Sequence, residues 1–296
     1  MGASESKPAS ATMIGLRQPE VAIWSERVCV ALGMNPGIFT GPGTNTYLVG
    51  TGKRRILIDT GQGRPEYLDV LERAIERAGA EGLQEIVLTH SHSDHVGGIA
   101  DVLRRFGPLR VSKLVRRAEP FVGTDLVAIR DGDRIATEGA TLRALFTPGH
   151  ADDHLCFALE EEPAIFSGDN VLGVGTTVIP VEGGDLGLYM ASLERLLAEP
   201  AGRIYPAHGP CIEDGPAKLR EYLAHRLDRE RQILAALRAE PEPVIEIVRR
   251  VYTDVPAVLH AAAAQSVTAH LRKLEAEGRA ERSASAAPLD DRWRAA

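Results

Sequence analysis

Glu85-Ile86-Val87-Leu88-Thr89-His90-Ser91-His92-Ser93-Asp94-His95-Val96-Gly97-Gly98 is the stretch whose reading decides the fold. Residues 85–89 have the length and β-branched content of a buried strand. Directly after them, three imidazoles and one carboxylate fall within six residues. Side chains alternate along a strand, so His90 and His92 leave its end in one direction. The chain then turns into a helix beginning near Val96, which swings Asp94 and His95 to another side. One strand-end loop can therefore present two sets of donors to two cations, and Gly97-Gly98 allow close backbone packing behind it. A single histidine here would read as a surface residue or a cap. Four donor residues at this spacing read as metal ligands.

Three more donors stand at comparable strand ends. His150 lies in Thr147-Pro148-Gly149-His150 after a strand over 141–146, Asp169 in Phe166-Ser167-Gly168-Asp169 after 164–167, and His208 in Tyr205-Pro206-Ala207-His208-Gly209-Pro210 after 203–205. Each is bracketed by Gly or Pro, and loops on a rigid scaffold are where functional residues gather. Imidazole and carboxylate donors without thiolate suit Zn2+, with Mn2+ or Fe2+ as alternatives.

The surrounding pattern alternates strands and helices. A hairpin is expected from 46–49 and 55–59 across the Gly50–Gly52 turn. A helix is expected over 65–78, with Pro65 at its start and Gly79 after its end. Helices are also expected over 96–106 and 188–198, and strands over 109–115 and 155–159. Past Gly215-Pro216 the chain reads as helical over 218–238, 243–252 and, as two helices, 257–278, with 278–282 as a turn or wing. The expected division is a catalytic domain over 1–214 with a loose tail to about Ser10, a small helical domain over 215–284, and a disordered tail over 285–296.

Composition bounds the rest. The 296 residues are 44% hydrophobic and 25% charged, the balance of a globular protein. The formal net charge is −7, and it divides unevenly, with 20 basic against 29 acidic residues before position 215 and 14 against 12 after it. Whole-chain electrostatics would not draw such a molecule onto nucleic acid, and no double-stranded DNA partner is expected. Cys29, Cys156 and Cys211 are too few and scattered for a disulfide framework. The first twenty residues lack the apolar core of a secretory signal, and no run approaches eighteen apolar residues. A cytoplasmic protein with no membrane partner is expected, or a mitochondrial matrix one in a eukaryote.

With the donors at 90, 92, 94, 95, 150, 169 and 208, the sequence resembles the metallo-β-lactamase superfamily. The resemblance implies an α/β, four-layer αββα sandwich with a C-terminal winged-helix-like domain. It implies that His90, His92 and His150 hold one zinc, that Asp94, His95 and His208 hold a second, and that Asp169 bridges them. The segments Leu32-Gly33-Met34-Asn35-Pro36-Gly37, Gly43-Thr44-Asn45-Thr46-Tyr47-Leu48, Ile58-Asp59-Thr60-Gly61 and Asp152-Asp153-His154 further resemble the branch of mitochondrial β-lactamase-like protein 2, an endoribonuclease directed at single strands, and its bacterial relatives. That similarity spans about residues 28–282.

Two zinc ions ~3.5–4 Å apart can share a water and lower its pKa from about 15.7 towards about 7, making hydroxide the nucleophile. Asp94, Asp59 and His154 are the candidate catalytic side chains beyond simple ligation. Asp59 would orient the metal loop by hydrogen bonds or initiate a turn, and His154 would protonate a leaving group or be structural. Asn45 and Thr46 would line the cleft or serve a turn, while His225, His260 and His270 read as surface residues. The expected activity is phosphodiester cleavage of single-stranded RNA, motivated by the branch and by Arg104, Arg105, Arg110, Lys113, Arg116 and Arg117. The alternative is hydrolysis of a small acyl substrate, a thioester or lactone, with weak β-lactamase activity. A metal-free binding module is the second alternative, opposed by the complete donor set. An oligomer is compatible with all three readings.

Overall fold

The structure, a computed structural model, describes residues 13, 15–116, 126–253, 260–285 and 287–296, apart from the side chains at 261 and 262. The expected tail to Ser10, Arg117 of the basic stretch, and the beginning of the 257–278 segment lie outside the described residues. Among the described residues no helix is long and apolar enough to cross a membrane. The chain divides into two compact units, one made of Met1–Leu145, Leu155–Thr177 and Ala201–Glu213, the other of Phe146–His154, Val178–Pro200 and Asp214–Ala296.

The first unit begins with β1 (Val21–Ile23), β2 (Val28–Leu32), β3 (Asn45–Val49), β4 (Arg54–Ile58), α1 (Pro65–Arg77) and β5 (Gly82–Val87). It continues through α2 (Ser93–Val96), α3 (Ile99–Phe106), β6 (Arg110–Lys113) and β7 (Leu126–Ala128). Strands β1 to β7 form one sheet in chain order, antiparallel up to β4 and parallel from β4 onward. A second sheet runs β12-β11-β10-β9-β8, from β8 (Arg134–Thr137), β9 (Ala140–Phe146), β10 (Leu155–Leu159), β11 (Ala164–Gly168) and β12 (Arg203–Pro206).

Helix α1 starts with Pro65 at its first turn and buries Tyr67, Val70, Leu71, Ala74 and Ile75, one face at helical spacing. That face packs with Ile99 and Val102 of α3 against Leu48, Leu57 and Ile86 of the first sheet. Aromatic rings join the two sheets. Tyr47 on β3 meets Phe166 on β11 edge-on at 5.1 Å, and Phe166 lies 5.0 Å from Tyr205 on β12. Those contacts pack β3 against β11 and β12.

The expected helix over 96–106 is instead interrupted after Val96. A Cβ on Gly98 would lie 2.1 Å from the Thr60 carbonyl oxygen, so glycine lets the histidine loop seat against the end of β4. Strands β1, β7 and β8 were not expected; each is short and carries half-buried or exposed positions.

The second unit contains α4 (Leu186–Leu197), α5 (Gly215–Ala236), β13 (Glu242–Pro243), α6 (Val244–Val251), α7 (His260–Ala276), β14 (Ala280–Ser283) and β15 (Arg292–Ala295). The last three strands make a small sheet ordered β13-β15-β14. Two expectations are corrected here. The segment expected as mainly helical after 215 also carries three short strands, and residues 287–296, within the expected disordered tail, form a short 3-10 turn and β15. Trp293 on β15 is fully buried among Ile233, Val244, Ile247, Val267, Leu271 and Leu274, and it pairs with Glu242 and Arg282 on the flanking strands. One aromatic side chain thus anchors a stretch whose neighbours look unpatterned. From His260 onward the segment is one helix, not two.

Candidate metal centre

The end of β4 grips the histidine loop. Asp59 takes a left-handed backbone conformation (φ 59°), uncommon for a non-glycine residue. Its Oδ1 accepts a hydrogen bond from the Thr89 amide at 2.9 Å. Its Oδ2 accepts from Thr89 Oγ1 at 2.9 Å and lies 2.8 Å from His95 Nδ1. The next residue completes the clasp, because the Thr60 amide and hydroxyl donate to the His95 carbonyl at 2.8 and 2.9 Å. With Nδ1 held by Asp59, His95 presents Nε2 to the interior.

Around that nitrogen, donors converge. His95 Nε2 lies 3.4 Å from Asp94 Oδ2 and 3.4 Å from Asp169 Oδ1. His208 Nε2 lies 3.3 and 3.2 Å from the same two oxygens. Asp94, His95 and His208 each offer a ligand atom within 4.8 Å of the others, and so do His90, His92 and Asp169. His95 Nε2 is buried and has no hydrogen-bond partner among the described residues. The 3.2–3.4 Å separations are what a cation centre requires. Ligands ~2.0–2.2 Å from a tetrahedral metal sit ~3.3 Å from one another. The donor set and its spacing fit divalent ions.

Asp169 follows β11 at a register shift between Phe166 and Gly168. His208 follows β12, where the Ala207 amide donates to the Gly168 carbonyl at 3.1 Å and the Asn45 amide to the Ala207 carbonyl at 2.7 Å. Asn45 Nδ2 donates to the carbonyls of Pro206 and Gly209, both at 2.8 Å, and Thr46 Oγ1 to that of Ala31 at 2.9 Å. Both side chains are buried and hold backbone. His90 Nε2 and His92 Nδ1 are 2.9 Å apart, with His90 fully buried and His92 partly so.

His150 and His154 belong to the loop 146–154 of the second unit. Gly149 turns that loop at φ 130°, and a Cβ there would lie 2.3 Å from the Tyr189 backbone. His150 is buried, with Nδ1 2.8 Å from the Val178 carbonyl oxygen. His154 is fully buried, with Nδ1 3.1 Å from Thr147 Oγ1.

The electrostatics match a cation site. Burial disfavours charge on His208, yet Asp169 and Asp94 outweigh it and push the imidazole up to about 9. Burial acts likewise on His95, where Asp59 and Asp169 hold it well above its usual value. Burial would raise Asp169, but His208 and His95 hold it well below the ordinary carboxylate range. The carboxylates therefore stay ionised, and protons on the imidazoles stand in for metal charge.

Lys113, read in the basic stretch, instead donates from Nζ to Ser91 Oγ at 2.6 Å. Two supporting residues carry no readable signal of their own, Thr89 and Thr44, whose Oγ1 lies 3.5 Å from Asp94 Oδ2. Each acts through a partner remote in sequence or through a loop geometry that only the fold creates. His270, expected on the surface, is fully buried on α7 beside Val267 and Leu271. Burial, with Arg226, Arg229 and Lys273 nearby, pulls it down to about 3.

Comparison with known proteins agrees with this geometry. Residues 39–208 match the family described as Metallo-beta-lactamase superfamily, and residues 244–293 match the Beta-lactamase associated winged helix domain. The lactamase-like protein adaB of Aspergillus niger is 51% identical over 221 residues, 75% of this chain and 67% of that protein. An atrochrysone carboxyl ACP thioesterase of Claviceps purpurea is 46% identical over 219 residues, 74% of this chain and 68% of its own length. The crystal structure of a metallo-beta-lactamase family protein from Thermus thermophilus superimposes with a TM-score of 0.69 at 25% identity, covering 86% of this chain and 94% of that one.

These relatives overturn the expected endoribonuclease branch and, with it, RNA cleavage, because their names are those of lactamase-like proteins and thioesterases. The expected α/β sandwich with a C-terminal winged-helix domain is the fold the chain has. The chain belongs to the metallo-beta-lactamase superfamily and is a metal-dependent hydrolase.

Proposed function

We propose that the chain hydrolyses an acyl thioester, with His90, His92 and His150 holding one divalent cation, Asp94, His95 and His208 a second, and Asp169 between them. The observation that carries the substrate class is the 46% identity to the thioesterase of Claviceps purpurea, joined by 45% identity over 249 residues to a second protein of that name in Aspergillus chevalieri. The donor chemistry favours zinc, with manganese or iron as alternatives. Divalent ions bound there supply Lewis acidity towards the scissile carbonyl and acidify water near neutral pH.

The chain's own residues do the rest. Asp59 fixes the tautomer and ring orientation of His95, Thr60 holds its backbone, and Thr89 fixes Asp59. Asp94 retains 19% side-chain exposure while His95 and His208 are buried, so its carboxylate can reach the substrate side. It takes a proton from the attacking water and returns it to the thiolate sulfur as the C–O bond forms and the C–S bond breaks. His154, fully buried, holds Thr147 and the loop that carries His150. The proposed functional boundary is 214–215, a reading supported by matched segments that end at 208 and begin at 244.

The test is thiol release from an acyl N-acetylcysteamine thioester by metal-loaded protein. Turnover that is lost with chelator and restored by zinc supports the reading. An intact thioester beside fragmented single-stranded RNA overturns it.

A further inference from the structure

We propose that the second unit carries a pocket for the anionic end of the substrate, recognised by Arg272. This rests on the thioester reading above and names a subsite for it. A cavity of about 350 Å³ lies between the loop bearing Pro180 and Val181, the start of α4 at Leu186, and one face of α7. That volume is at the lower end of small-molecule sites, ~300–1,000 Å³, which suits one chain segment and excludes a protein. Residues 269, 272, 273, 276 and 277 share the α7 face, at helical spacing, while Val267, Leu271 and Leu274 point into the apolar core. Alanine at 269 and 276 leaves the space open where a larger residue would fill it.

The charges lining this cavity are unequal in their commitments. Lys273 Nζ is held by Glu230 and Glu277, each at 2.6 Å. Glu277 also accepts from Arg279 at 3.1 Å, and Asp185 Oδ1 accepts the Leu188 amide at 2.8 Å. Arg272 differs. Its Nη1 donates to the Val181 carbonyl, and the guanidinium has no carboxylate partner among the described residues. A half-buried cation with unused N–H groups over an apolar wall matches an oxyanion carried on a largely apolar chain, which a guanidinium can clasp with two parallel bonds. Val178, whose carbonyl contacts His150 Nδ1, lies two residues before Pro180. The loop that lines the pocket is therefore the loop that orients His150.

A thioester substrate offers that oxyanion from two sources, the phosphate of a phosphopantetheine arm or a carboxylate at the far end of the acyl group. Calorimetric titration of the full, metal-loaded chain separates them, using phosphopantetheine against pantetheine and octanoate against octanamide. Tighter binding of one charged probe than of its uncharged counterpart, by about 10-fold or more, is expected, and Arg272→Gln should erase the preference. Ala276→Trp, which fills the cavity and leaves Arg272 in place, should erase it too, guarding against a misfolded arginine variant. The probe that shows the preference identifies the source. No preference for either charged probe overturns the proposal, as does a preference that survives both substitutions, since binding then lies elsewhere, including at the metals. Absence of thioester turnover would overturn the thioester reading alone, because these are binding measurements.

Discussion

Asp59 and His95 stand thirty-six residues apart, yet Asp59 Oδ2 and His95 Nδ1 meet at 2.8 Å with neither side chain more than 2% exposed. The carboxylate comes from the end of β4 and the imidazole from α2, which follows β5. The parallel pairing of these strands, Ile58 against Val87, brings the two together. Removing the charge while keeping the shape, Asp59→Asn, should weaken metal affinity and kcat/KM by ~10–100-fold through loss of ligand orientation. Competition against a metal-binding dye, alongside thioester turnover, measures both effects.

Asp169 is buried between His95 and His208, where the proposed bridging ligand would stand. Asp169→Ala should abolish turnover, a larger loss than the ~10–100-fold of an outer partner such as Asp59. Circular dichroism should show an intact fold. Full activity in this variant would refute the bridging role.

The protonation of His208 makes metal-free stability depend on pH. Its folded value, about 9, exceeds the ordinary 6.5, so its contribution is fully present below about 6.5 and is lost as pH rises through about 9. Asp169 is depressed, so its contribution is present above the ordinary 3.8 and is lost on acidification. Chelated protein should therefore melt at falling temperature between about pH 6.5 and about pH 9, whereas metal-loaded protein, with its imidazoles already deprotonated, should not. Melting curves on both forms across this range check the sign.

Trp293 sits at 0% exposure in the core of α5, α6 and α7. Trp293→Ala should cost ~3–5 kcal/mol, the usual penalty for truncating a buried tryptophan. Urea unfolding followed by circular dichroism measures it.

Much of this was legible in local pattern. Residues 85–95 announce a strand and a donor loop because both signals lie within a dozen residues, and the Gly/Pro brackets around His150, Asp169 and His208 mark strand ends. What escaped depends on distant partners. Strand β15 exists because Trp293 pairs with Glu242, fifty-one residues earlier, and the left-handed turn at Asp59 becomes informative only beside Thr89 and His95. Substrate class was the least legible. The donors that build a cation centre serve any polarisable acyl or phosphoryl group, so motif likeness led to RNA where relatives matched over about three quarters of the chain point to thioesters.

The most direct measurement is metal stoichiometry by native mass spectrometry on protein purified without chelator. About two divalent ions per chain are expected, and about one in His208→Ala, where the proposed second ligand set is broken. Fewer than about one ion in the wild type, or an unchanged count in His208→Ala, would contradict a centre built from these side chains.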